Sequence, residues 1–141
     1  MTPPVPPDPR QSRRALQVAV ALGSLSPLGF GLAGVLLGPS MVLPEGTPVA
    51  ASLDSHWRFL SGVFFGLGLM FVSTIPAIER RTTRFRWAGA AIVAGGLGRL
   101  YSLLLVGTPA VAHLIGLGAE LVLVPLLIAW QAKVARSYAT A

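Results

Sequence analysis

The sequence predicts an all-α fold: an integral membrane four-helix bundle, running up-down-up-down, with both termini cytoplasmic. Three observations carry this expectation. Of 141 residues, 53% are hydrophobic and only 11% charged, with a mean hydropathy of +0.70, whereas about a quarter of a soluble domain is charged. The apolar residues fall into four runs, and roughly 20 such residues suffice for a helix to cross about 30 Å of hydrocarbon. The basic residues occupy alternate connections between the runs, as Lys and Arg do on the cytoplasmic side of a bilayer.

Taken in order, residues 1–14 open with "MTPPVPPDPR", too rich in proline to bury a core, and are expected to form a disordered cytoplasmic arm. The transmembrane domain covers 15–131, with spans at about 15–38, 57–78, 87–106 and 111–131, and residues 132–141 form a cytoplasmic tail. "SRRALQV" resembles a twin-arginine export signal and "VAA" at 49–51 a cleavage site, but the apolar run exceeds the roughly 7–15 residues of a signal peptide. The first span is therefore read as a retained helix. The 39–55 loop, with three prolines, is expected to be irregular, and Asp54 or Ser55 to cap the second span.

Arg10, Arg13 and Arg14 precede span one; Arg80, Arg81, Arg84 and Arg86 lie between spans two and three; Lys133 and Arg136 follow span four. The other two connections carry no basic residue. This places the chain in the cytoplasmic (inner) membrane, N-in and C-in. The net charge of +6, which in a soluble protein would suggest nucleic acid, is instead assigned to anionic lipid headgroups, because it is split among three short segments. Arg58 and Arg99 remain outside that scheme.

Helices in lipid approach one another through small residues. The expected packing faces are Ser24, Pro27, Gly31, Gly34 and Gly38 on span one, Gly62 and Gly66 on span two, and Ala91, Gly95 and Gly98, with Gly96 beside them, on span three. Pro27 is expected to kink the first helix.

Arg99 lies about 12 Å, and Glu120 about 15 Å, inside the outer boundary at 1.5 Å per residue. The connection between spans three and four is very short, so those spans are antiparallel neighbours and an ion pair between the two residues is natural. On span four His113, Gly116, Glu120 and Gln131 share a stripe; on span three Gly95, Arg99 and Ser102; on span two Arg58, Ser61, Gly62 and Gly66. Together they predict a polar site opening toward the outer face. Arg58 has an alternative place at the interface, paired with Asp54 one turn earlier. His56, two residues from Arg58, points roughly the other way unless the first turn is irregular, and His113 reads first as an interfacial histidine near the short connection and only second as part of the site. Trp57, Trp87, Trp130 and Tyr101 suit the interfacial belt.

These residues resemble a known family. "SHWRFLSGVFFGLGL", "GGLGRLYSLLLVG" and the glutamate of "LGAELVLVPLLIAWQ" are similar to the small bacterial membrane proteins grouped as domain of unknown function 4345, over roughly residues 15–131. The resemblance carries over to His56, Arg58, Ser61, Gly62, Gly95, Gly96, Arg99, Ser102 and Glu120. It implies a four-helix integral membrane protein and no particular activity.

The absence of cysteine removes disulfides, thiolate metal sites and a cysteine nucleophile. With no HExxH and no phosphate loop, no catalytic residue, metal ligand or cofactor is assigned. Two functions stay in competition. One is a site that binds or transports a small anionic or zwitterionic ligand, or a lipid headgroup. The other is an accessory subunit in which the Arg99–Glu120 pair only fixes packing while the glycine faces meet a homo-oligomer or a partner membrane protein. A membrane enzyme using a histidine with Glu120 ranks below both.

Overall fold

A computed structural model describes residues 8–140. Among them all regular structure is helical: α1 (Pro9–Leu37), α2 (Ala51–Thr74), α3 (Thr82–Val106), α4 (Val111–Gly118) and α5 (Val124–Ala139). Short 3-10 turns follow α1 and α2, and a π turn, Ala119–Leu123, joins α4 to α5 without a break. Four stretches, Pro9–Met41, Ala51–Ala77, Thr82–Val106 and Val111–Ala139, are long and apolar enough to cross a membrane.

The helices overrun the expected spans because hydropathy ends where charge begins, whereas a helix continues into polar sequence. The expected arm shows this most clearly. Residues 1–7 lie outside the described residues, but 9–14 are helical rather than irregular. Asp8 Oδ1 accepts the Arg10 N–H at 2.9 Å, an N-cap contact, and Pro9 takes the first helical position, where no N–H is needed. The helix runs on without a break through Pro27. α2 begins at Ala51, so Asp54 lies within its first turn and is not a cap. α5 extends to Ala139 and absorbs most of the expected tail.

The described chain divides into two compact units, 19–73 and 8–18 with 74–140. In the first, α1 and α2 are antiparallel. A Cβ at Gly31 would stand 2.6 Å from the backbone N of Phe65, one at Gly34 would strike Ser61, and one at Gly68 would meet Leu28 at 3.0 Å. As α1 advances, its contacts on α2 retreat. The expected α1 stripe is thus used, but the Gly62–Gly66 spacing is not a close-packing face: Gly62 meets only Val35, at 3.8 Å, and nothing lies within 4 Å of a Cβ at Gly66. The backbone contact falls at Phe65, on the line that runs from Ser61 to Gly68. Gly38, at φ 67°, ends α1 in the left-handed region.

In the second unit α3 packs antiparallel to α5 and the π turn. Phe85, Ala88, Gly89, Ile92 and Gly96 form the buried stripe of α3, at the three- and four-residue steps that keep one helical face. A Cβ at Gly89 would meet Ile128 at 2.6 Å, and one at Gly96 would meet the Cβ of Glu120 at 2.8 Å. A Cβ at Gly95 or Gly98 would meet nothing within 4 Å. Of the three glycines expected to pack, only Gly96 does; the other two are rotated off the stripe set by Phe85 and Ile92.

The N-terminal end of α1 is latched into this unit by polar contacts. Arg13 Nε pairs with Glu79 Oε2 at 2.7 Å and Nη2 donates to Pro76 O. Gln17 Nε2 donates to Ile75 O at 2.6 Å, and Trp130 Nε1 to Ser12 Oγ at 3.0 Å. Gln131, wholly buried, donates to Ile78 O and Thr82 Oγ1. Leu16, Ile78, Phe85 and Val134 close the core at this level.

Candidate functional site

Farther along the same unit, one three-residue step past Gly96, where the buried stripe of α3 ends, stands the exposed Arg99. Glycine at 96 lets the backbone of α3 lie against Glu120 itself, so the arginine one turn on emerges directly over the carboxylate. Arg99 Nε stands 3.0 Å from Glu120 Oε1. Arg99 Nη1 lies 2.9 Å from His113 Nδ1. Arginine cannot accept a hydrogen bond, so it donates here and the imidazole presents Nδ1 as acceptor, its proton held on Nε2.

The π turn that carries Glu120 has a local cause. Pro125 has no N–H, so the helix cannot close its usual bond onto the carbonyl of Leu121, and the proline ring crowds that carbonyl. The chain widens by one residue instead, and Val124 N–H bonds Ala119 O, five residues back. Proline two positions into α5 thereby places Glu120 on the widened turn facing α3.

The pair is unevenly buried. The Glu120 side chain is 12% exposed and that of Arg99 43%, while His113 is exposed. Glu120 Oε2 is buried with no hydrogen-bond partner. The contacts to Arg99 use Nε and Nη1 and leave Nη2. This ion pair is therefore made through one oxygen, with one acceptor sheathed and one donor of a half-exposed arginine left unused. A carboxylate oxygen left so is costly in a low-dielectric setting.

The structure brings together Arg99, Glu120, His113 and Gly96 from the residues singled out in the sequence. Ser102, one turn beyond Arg99, is exposed and takes no part in these contacts. In the other unit Arg58 is committed to a different task. It pairs through Nε and Nη2 with both oxygens of Asp54, at 2.8 and 3.0 Å, and Nη1 donates to Val35 O and Leu36 O. It thus closes the carbonyl end of α1. Ser61 packs against Gly34, and His56 is exposed in a shallow groove with Ala51, Ser52, Ser55 and Phe59. Gln131, expected on the stripe of Glu120, belongs to the latched end.

Nothing in residue type alone reveals the latch: from the sequence Arg13 belongs only to the positive flank of span one, and Glu79 carries no role. The cap "DP" at 8–9 was the available signal that the helix starts early enough for Arg13 to reach the 75–79 turn.

Four apolar helices of crossing length, carrying a charged pair within them, define a multi-pass helical membrane protein. The domain of unknown function 4345 matches residues 15–131, and the chain belongs to that family. No match was found among curated proteins or among solved structures.

Proposed function

We propose that the protein binds, and through that binding moves or senses, a small ligand carrying an anionic or zwitterionic group, with Arg99 as the anchoring residue. The observation that supports this is the half-made pair: Arg99 is reachable and keeps a donor uncommitted, beside a carboxylate with a partnerless oxygen. A pair serving packing alone would gain by closing both hydrogen bonds, as Arg58 and Asp54 do. Charges inside a membrane are expensive and mark ligand or proton sites more often than scaffolding. In this reading the basic segments around residues 10–14, 80–86 and 133–136 face anionic headgroups of the cytoplasmic leaflet. Both termini then lie inside, and the site belongs to the outer half of the inner membrane.

A second reading has its own support. Glu120 Cβ lies only 2.8 Å from where a methyl at Gly96 would stand, so the ion pair and the helix contact are one structure, as an accessory subunit with a fixed register would need. Titration of the purified full chain in nanodiscs with ethanesulfonate, an anion ionised at every accessible pH, separates the two. The binding reading expects saturable binding that Arg99→Gln weakens at least about tenfold, the loss of one charge-assisted contact, with His56→Gln unchanged. Equal binding by wild type and a folded Arg99→Gln would leave only the packing role.

A further inference from the structure

Charge arithmetic at this site narrows what can enter it. As the structure stands, one guanidinium cation faces one carboxylate, and the histidine that completes the cluster accepts a hydrogen bond from the arginine. The set is neutral. An anion arriving at Arg99 would leave it with one excess negative charge, and an unbalanced charge amid apolar helices is what such a site least tolerates. Two compensations are open: the ligand brings its own cation, or a proton comes with it.

The geometry favours the proton. A ligand ammonium would have to reach Glu120, whose side chain is only 12% exposed and whose Oε2 is sheathed. The reachable groups, Arg99 with its unused Nη2 and the exposed His113 with its Nε2–H, both present donors to a newcomer. Oε2 has no partner to lose, so a proton can occupy it without breaking any existing contact. Protonating His113 instead would turn Nδ1 into a donor facing the Arg99 donor and break the 2.9 Å contact. Among the described residues the titratable side chains facing Glu120 are Arg99 on α3 and His113 on α4, while the neighbouring part of α5, "VPLLIAW", has none.

We infer that an anion binding Arg99 is taken up together with one proton, which settles on Glu120. In this step the anion displaces Glu120 Oε1 from Arg99 Nε, and a proton from solution bonds to Glu120 Oε2. Electron count and net charge of the site are unchanged. The inference rests on the binding role proposed above and supplies its regulation: affinity rises as pH falls.

The experiment compares ethanesulfonate with taurine, the same sulfonate bearing an ammonium, between about pH 5.5 and 8 on the full chain in phosphatidylcholine nanodiscs. Over the window between the titration points of Glu120 in the free and bound states, linkage of one proton makes ethanesulfonate binding weaken about tenfold per pH unit. Glu120→Gln, neutral throughout, should bind ethanesulfonate without a pH slope and more tightly than wild type at the upper end. Calorimetry of the wild type in buffers of different ionisation enthalpy should show one proton taken up per anion, a reading that needs no variant to fold. A second nanodisc series containing phosphatidylglycerol distinguishes the source of the anion: a headgroup competes with ethanesulfonate and a soluble ligand does not, and both support the coupling if the slope persists. A flat wild-type profile with no proton uptake overturns the inference, as does tighter binding of taurine at every pH, or a slope that survives Glu120→Gln. Each of those leaves the Arg99 site standing, whereas ethanesulfonate binding untouched by Arg99→Gln removes the site itself.

Discussion

Two regions of one compact unit use charge in opposite ways. At the latched end Arg13 spends Nε on Glu79 and Nη2 on Pro76 O and lies over the Tyr138 ring, while Gln131 donates twice. At the other end Arg99 meets Glu120 through a single oxygen and a histidine that is itself exposed. The first arrangement ties chain segments distant in sequence: Arg13 to Glu79, Ser12 to Trp130. The second joins helices that a four-residue connection already holds side by side. Polar contacts at the latch therefore serve folding, and those at Arg99 add little to an adjacency secured by the chain itself.

The sharpest way to break this contrast is Arg99→Leu. It strands the Glu120 charge and should cost roughly 3 kcal/mol in unfolding from mixed micelles, whereas Arg99→Leu with Glu120→Leu should recover most of that loss while abolishing ethanesulfonate binding. Failure of the double variant to recover would mean that the pair itself holds the fold. Next comes Gly96→Ala, which forces α3 away from the Cβ of Glu120 and should cost about 2 kcal/mol; Gly95→Ala and Gly98→Ala, in open space, should stay within about 0.5 kcal/mol. At the latch, Gln131→Leu keeps the volume but leaves Ile78 O and Thr82 Oγ1 short of a donor, an expected loss of about 1–2 kcal/mol. That loss should leave ethanesulfonate affinity unchanged.

The smallest effect is a pH dependence of the latch. Burial pushes the Glu79 carboxyl up, but its own backbone hydrogen bond, the hydrogen bond and charge of Arg13, and the charge of Arg80 outweigh that and hold it below the usual carboxylate range. A depressed folded value means that the contribution is fully present above the ordinary glutamate pKa and is lost as pH falls through the folded value, below it. Thermal unfolding measured downward through the carboxylate range should show a slope that Arg13→Met reduces. An unchanged slope would remove Glu79 from the latch.

How much of this could be read beforehand varies with the physics involved. The four spans follow from hydropathy and length, and the Arg99–Glu120 adjacency follows from equal depth across a tight connection. Helical phase was harder. Gly95 and Gly98 share one side of the helix and Gly96 lies on another, and only the position of Phe85 and Ile92 in the folded core selects Gly96. The π turn escaped because Pro125 reads as an ordinary apolar residue in a span, although its missing N–H is what widens the helix. The early start of α1 was hidden by the prolines before it, which share composition with the cap at Asp8–Pro9. Arg58 shows the reverse case: the spacing to Asp54 was visible, but its hold on Val35 O and Leu36 O needs the antiparallel return of α2.

The widened turn at Ala119–Leu123 also sets the rotational phase of the fourth span. With i to i+5 closure the chain spends one residue more than an α-helix would over the same rise, so the Val111–Gly118 and Val124–Ala139 halves are offset from a single continuous screw. Deleting one residue there, with Pro125 replaced by alanine, would restore a uniform screw and turn one half against the other by about 100°. The half bearing Gln131 and the half bearing His113 could then no longer address α3 at once. The single surplus residue works as a key cut into the rod, matching two faces that a regular helix would present in different directions.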